Sequence, residues 1–166
     1  FRDAPPDDVE TWARAFTWFL KKLTLKYGRR LVLKSPTHTA RVRLLGRLFP
    51  DARFVHIHRH PHEVFQSFRH YYDTAMWFTY LQRPDLDAID DVIVRRYTAL
   101  HDALFDDVPD IPAGQFHEVR YEDLERDPVG VLRGTYDALG LGDFDVAAPG
   151  VRAYLATLTG YHKNQF

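Results

Sequence analysis

The 166-residue sequence has no cysteine. That excludes disulfides and thiol chemistry, and it removes cysteine usage as a guide to compartment. There is no apolar run long enough to span a bilayer and no signal-peptide pattern at the start. The cytoplasm is therefore the expected compartment. There is little excess charge: 22 Lys/Arg stand against 23 Asp/Glu, a net −1. General nucleic-acid binding is not indicated by such a balance. Repeats and low-complexity stretches are lacking. So is any Gly-x-x-x-x-Gly-Lys-Ser/Thr phosphate loop within these residues.

What remains is the composition of an ordinary soluble domain, 45% apolar and 27% charged. Residues 1–166 fit one domain with room for a core. The chain opens on Phe1 and closes just after the polar pair Lys163-Asn164. That pair reads as mid-loop, so a truncated domain is expected. The charges are segregated. Residues 29–70 hold nine Lys/Arg and two acids, or +7, and residues 71–166 carry −9. A basic block in a neutral chain suits a local anion site, and equally a solvated basic helix face.

Hydrophobic period predicts an amphipathic helix over 7–27, carried by Trp12, Phe16, Phe19, Leu20 and Leu23 and stopped at Gly28. Residues 30–34 read as a short buried strand. Ser35 to His38 form a loop, because Pro36 holds Ser35 out of the helical region. Residues 39–48 return to helical period and Pro50-Asp51 turns. Residues 52–58 read as a second strand, and Pro61 opens a helix to about Tyr72. Strand, helix, strand, helix predicts a βαβ unit with a right-handed crossover. Further on, 87–106 reads as a helix, 115–120 as a strand, and 148–158 as a short helix. Asp127-Pro128 starts a helix that Gly140 ends. The expected class is α/β, a parallel sheet flanked by helices.

Arg59 stands at the carboxyl end of a predicted strand, just before the Pro61 helix. Ligands of open parallel sheets bind at that edge. A helix N-terminus supplies free N–H groups, and Arg adds a permanent charge with a fork of donors that fits phosphate. Ser67, eight residues on, can add a hydroxyl. The plain alternative pairs Arg59 with a carboxylate such as Glu122. Lys34 and His38 bracket the first strand–helix loop. Lys34 can neutralise charge on a leaving group. A neutral His38 can take a proton from a hydroxyl. Their plain alternatives are a solvated lysine and a histidine capping the next helix. His56, His58, His60 and His62 alternate, which admits a metal reading for His56 and His58 on one strand face. Pro61 breaks that alternation and no third ligand is signalled, so no metal site is assigned. The aromatics Trp12, Trp18, Trp77, Phe78 and Tyr80 read as core. The Tyr71–Tyr80 stretch is a further candidate for lining an acceptor pocket.

The run Leu33-Lys34-Ser35-Pro36-Thr37-His38, then Phe49 to Pro61 with Arg59 near its end, then Ser67, resembles the middle of the PAPS-dependent sulfotransferases (PAPS is 3′-phosphoadenosine 5′-phosphosulfate). Tyr121-Glu122-Asp123-Leu124 is similar to a segment that follows a later strand in that family. The resemblance runs from about Arg30 to Gly140. It implies a P-loop-NTPase-like parallel sheet, with the strand-loop-helix that cradles the 5′-phosphosulfate lying upstream of residue 1. It implies Arg59 and Ser67 on the donor's 3′-phosphate, Tyr121 on the adenine side, His38 as general base and Lys34 beside the transferred group. Lys163 falls near the place of a C-terminal loop that closes over the 3′-phosphate. The reaction implied is in-line displacement at sulfur, with PAPS as co-substrate and no metal. The acceptor implied is a small-molecule, lipid or carbohydrate hydroxyl or amine. A nucleotide-binding kinase-like domain is the rival that the βαβ pattern also permits.

Overall fold

The structure, a computed structural model, describes residues 2–158 and 160. The candidate Lys163 lies outside them. The described residues form seven α-helices, two strands and three short 3-10 turns. The chain divides into two compact units. One comprises residues 1–52 and 99–111, the other 53–98 and 112–166.

In the first unit, α1 spans Pro6–Tyr27. Pro6 suits its first position, Asp7 and Asp8 meet the positive end of its dipole, and Gly28 closes it at φ +59°. Ala13 and Leu20 are buried on its inner face. The outer face keeps Trp18 60% and Phe19 50% exposed, so the predicted stripe is narrower than its apolar content. Lys22 sits over the Trp18 ring, 3.5 Å from its centroid, and shields part of that surface. A 3-10 turn covers Pro36–Arg41 and leads into α2, Val42–Leu48. Val42 and Leu45 of α2 are buried, as are Ala103 and Leu104 of the long helix α4, Ile89–Asp107.

Asp107, 5% exposed, ties this unit together through its charge. Its carboxylate accepts from Arg2 Nη2 at 3.1 Å and from the Arg43 backbone N–H at 3.2 Å. Arg43 Nη2 lies 3.4 Å from it. A buried carboxylate is tolerable only with such partners.

The second unit holds the sheet. Strand β1 is Phe54–His58 and strand β2 is Phe116–Arg120, paired in parallel with Phe54 opposite Phe116 and His58 opposite Arg120. Helix α3, Pro61–Thr74, leaves the end of β1, and α5, Tyr121–Arg126, leaves the end of β2. Helices α6, Pro128–Leu139, and α7, Phe144–Ala156, follow. Asp127 caps α6 by accepting from the Gly130 N–H at 2.9 Å, and Gly140 ends it at φ +59°. Leu139, Phe144 and Ala148 are buried, and Arg53 donates to the Leu139 carbonyl at 3.1 Å. A second cluster joins Tyr72, Ile89 and Ile93, with Phe65, Met76 and Tyr80 packed on it.

Four expectations are corrected. Residues 30–34 form no strand. A strand needs a neighbour for its ladder, and this segment has none among the described residues. Val32 is accordingly 95% exposed. The parallel partner of β1 is β2, so the βαβ unit predicted over 30–72 is not the one that forms. The last helix begins at Phe144, four residues before the predicted start, because Asp143 caps it by accepting from the Asp145 N–H. Trp77 and Phe78 are not core. They are 48% and 90% exposed.

Candidate functional site

Both strands end on the same edge because they are parallel, and a helix follows each, after two residues for β1 and at once for β2. That edge gathers Arg59, His60, Tyr121 and Glu122. The Arg59 guanidinium lies over the Tyr121 ring, 4.9 Å from its centroid. The ring face is negative, so the contact fixes the cation and buries one side of it. Arg59 Nη2 also donates to Glu63 Oε2 at 3.1 Å, one turn into α3. With its side chain 24% exposed, Arg59 is half-sheltered and held on two sides.

Glu122 is not the partner of Arg59, which corrects the plain alternative drawn from spacing. Its Oε1 accepts from the His60 backbone N–H at 3.0 Å. That bond and one from its own backbone hold its carboxyl below the usual carboxylate range, with help from the charges of Arg120 and His58. His60 in turn caps α3, its Nδ1 accepting from the His62 N–H at 3.3 Å. Glu63 was not singled out from the sequence, although the four-residue spacing from Arg59 is a signal for it. Ser67 lies one further turn along the same face of α3. It is half-buried, and no hydrogen bond from another described residue occupies its hydroxyl.

Lys34 and His38 belong to the first unit and are described there. Lys34 is exposed in a stretch without regular secondary structure. His38 is half-buried inside the 3-10 turn, where its backbone N–H donates to the Ser35 carbonyl at 3.0 Å. Its ring meets the Phe16 ring edge-on at 5.8 Å. It caps no helix. Its Nδ1 is buried with no hydrogen-bond partner. Burial pushes the imidazole below its usual pKa, and the nearby Arg41 charge pushes the same way. Folding therefore disfavours the protonated ring.

The alternating histidines are used otherwise. His56 Nδ1 pairs with Glu118 Oε1 at 3.1 Å, and the His56 and His58 rings lie 5.8 Å apart. Among the described residues, no group of three His, Cys, Asp or Glu side chains is placed to hold a metal ion. Nor is any described helix long and apolar enough to cross a membrane.

Comparison with known proteins gives the family. The sulfotransferase family matches residues 6–145. Curated proteins of Mycobacterium bovis and Mycobacterium tuberculosis, each named omega-hydroxy-beta-dihydromenaquinone-9 sulfotransferase Stf3, are 37% identical over 161 residues, 97% of this chain. The chain spans 42% of the length of those relatives. No solved structure matches it. A family match over most of the chain and a relative at this identity lead to one conclusion: the chain belongs to the sulfotransferase family.

Proposed function

We propose that the chain is part of an enzyme that transfers a sulfonate group from PAPS to an acceptor hydroxyl, and that its β1–α3 edge takes the donor's 3′-phosphate. The observation that carries this is Arg59, held by the Tyr121 ring and Glu63 at the mouth of α3. A guanidinium there, with the Ser67 hydroxyl further along the same helix face, suits a phosphate dianion. Glu63 then serves as a counter-ion while phosphate is absent. Tyr121 would stand on the adenine side, and Lys163 would close over the phosphate. The 166 residues would form part of one P-loop-NTPase-like domain.

In the reaction the acceptor oxygen forms a bond to sulfur as the bond from sulfur to the 5′-phosphate oxygen breaks. The acceptor proton goes to His38, and adenosine 3′,5′-bisphosphate leaves. Such a transfer depends on positioning and charge stabilisation. Neutral His38 and cationic Lys34 supply the chemical types it needs. The mycobacterial relatives are named for a hydroxylated menaquinone. By likeness we assign the acceptor class as a hydroxyl on a long apolar molecule.

The test is a thermal-shift titration with adenosine 3′,5′-bisphosphate, with AMP and ATP as controls. A ligand at about 100 times its dissociation constant stabilises a fold by about 2.7 kcal/mol. A shift for the bisphosphate that is weak with AMP and lost in Arg59→Ala is expected. Equal shifts for bisphosphate and AMP would overturn the assignment of Arg59.

A further inference from the structure

Glu122 touches none of the groups assigned above to the nucleotide, yet it grips the backbone beside the foremost of them. Two consecutive residues at the β2–α5 junction hold two consecutive residues at the β1–α3 junction. Tyr121 lies under the Arg59 guanidinium, and Glu122 Oε1 accepts from the next N–H in the chain, that of His60, at 3.0 Å. His60 is also the residue whose Nδ1 caps α3. The peptide that follows Arg59 is thus fixed by a carboxylate on one side and by the helix start on the other. A carboxylate accepting a backbone N–H makes a short, strong bond with a defined direction.

The choice of a carboxylate here is informative. Glu63 already places one negative charge beside Arg59, and Glu122 brings a second to the same edge. By Coulomb's law alone, both weaken binding of a phosphate dianion. A Glu at this position has to contribute through geometry to offset that cost.

We propose that Glu122 is a positioning residue for 3′-phosphate recognition, its carboxylate locking the His60 peptide so that Arg59 presents its guanidinium in one orientation. This rests on the reading that Arg59 takes the 3′-phosphate. The two ideas predict opposite signs for one substitution. If Glu122 acts only as a charge, removing it tightens phosphate binding. If it positions Arg59, removing it loosens binding.

The experiment is isothermal titration of adenosine 3′,5′-bisphosphate and of AMP into the wild-type chain, Glu122→Gln and Glu122→Ala, at low salt. The ratio of the two affinities isolates the 3′-phosphate. Glu122→Gln keeps an acceptor oxygen in place and is expected to retain the wild-type ratio within about threefold. Glu122→Ala is expected to lose about tenfold or more of the ratio, with AMP affinity changed less than about twofold. Glu122→Asp keeps the charge but withdraws the acceptor by one methylene. It is expected to lose the preference as well, and it serves if the alanine variant does not fold. A ratio that stays unchanged or rises in Glu122→Ala or Glu122→Asp overturns the proposal. So does an equal loss for both ligands, which marks a merely structural role. A wild-type chain that does not prefer the bisphosphate overturns the Arg59 reading along with it.

Discussion

At the residue scale, two side chains carry the argument, and each owes its state to its surroundings. Arg59 is a permanent cation whose resident partner is Glu63. Replacing Glu63 by Gln removes a competitor for the guanidinium. Affinity for adenosine 3′,5′-bisphosphate is expected to rise several-fold at low salt and to approach the wild-type value as salt is raised, measured by calorimetry. His38 is set by burial. Its folded pKa lies below the usual value, so folding disfavours the protonated ring. The sign follows: the folded state binds fewer protons, and stability is unaffected by this group well above pH 6.5. Stability is lost as pH falls from about 6.5 through the depressed folded value. An NMR titration of the His38 ring is expected to give a midpoint below 6.5. A midpoint at or above that value would refute the burial argument. If His38 is the base, turnover falls on the acid side of the same midpoint.

At the element scale, the strand–helix junctions decide where chemistry can sit. Strand β1 is followed by α3 after two residues, and β2 by α5 at once. The parallel register puts both junctions on one edge. Helix α6 shows how strongly local signals specify an element. Asp127 caps it, Pro128 starts it, and Gly140 stops it in the left-handed region. Asp127→Ala leaves the Gly130 N–H without its acceptor and is expected to cost about 1 kcal/mol in urea unfolding. Leu139 on the same helix is 2% exposed. Leu139→Ala is expected to cost about 2–5 kcal/mol, because the cavity left behind cannot fully collapse. Helices α1, α3, α4 and α6 were read from sequence to within two residues at either end. The segment 30–34 was misread because three apolar residues between Arg30 and Lys34 suit a strand locally, while their fate turns on whether another strand pairs with them.

At the scale of the whole molecule, the described residues leave a sheet of two strands. The face of β1 carrying Val55 and Ile57 is 44% and 52% exposed. Those side chains contribute little to the folded chain, so Ile57→Thr is expected to change unfolding free energy by less than about 0.5 kcal/mol. A loss several times larger would mean that the face is covered. The charge segregation seen along the sequence is partly used up within units. Arg2 and Arg43 are spent on Asp106, Asp107 and Asp110. Arg69 is spent on Asp73 and Asp90. Within the basic block, Arg43, Arg59 and Arg69 are seen in ion pairs, and of these Arg59 is the one at a strand end.

The sequence by itself determined helices α1, α3, α4 and α6 and the two paired strands to within two residues, and it offered the candidates Arg59, Ser67, Tyr121, His38 and Lys34. These are local matters: period, turn chemistry and short motifs act over a few residues. Only the tertiary structure decided which partners those residues keep. It joined β1 to β2 across about sixty residues, gave Arg59 to Glu63 and Tyr121, and gave Glu122 to the His60 N–H. It also buried the His38 Nδ1. Pairing of this kind is a competition among distant groups for one donor or one ladder. Its outcome depends on the geometry of approach, which no local stretch of residues contains.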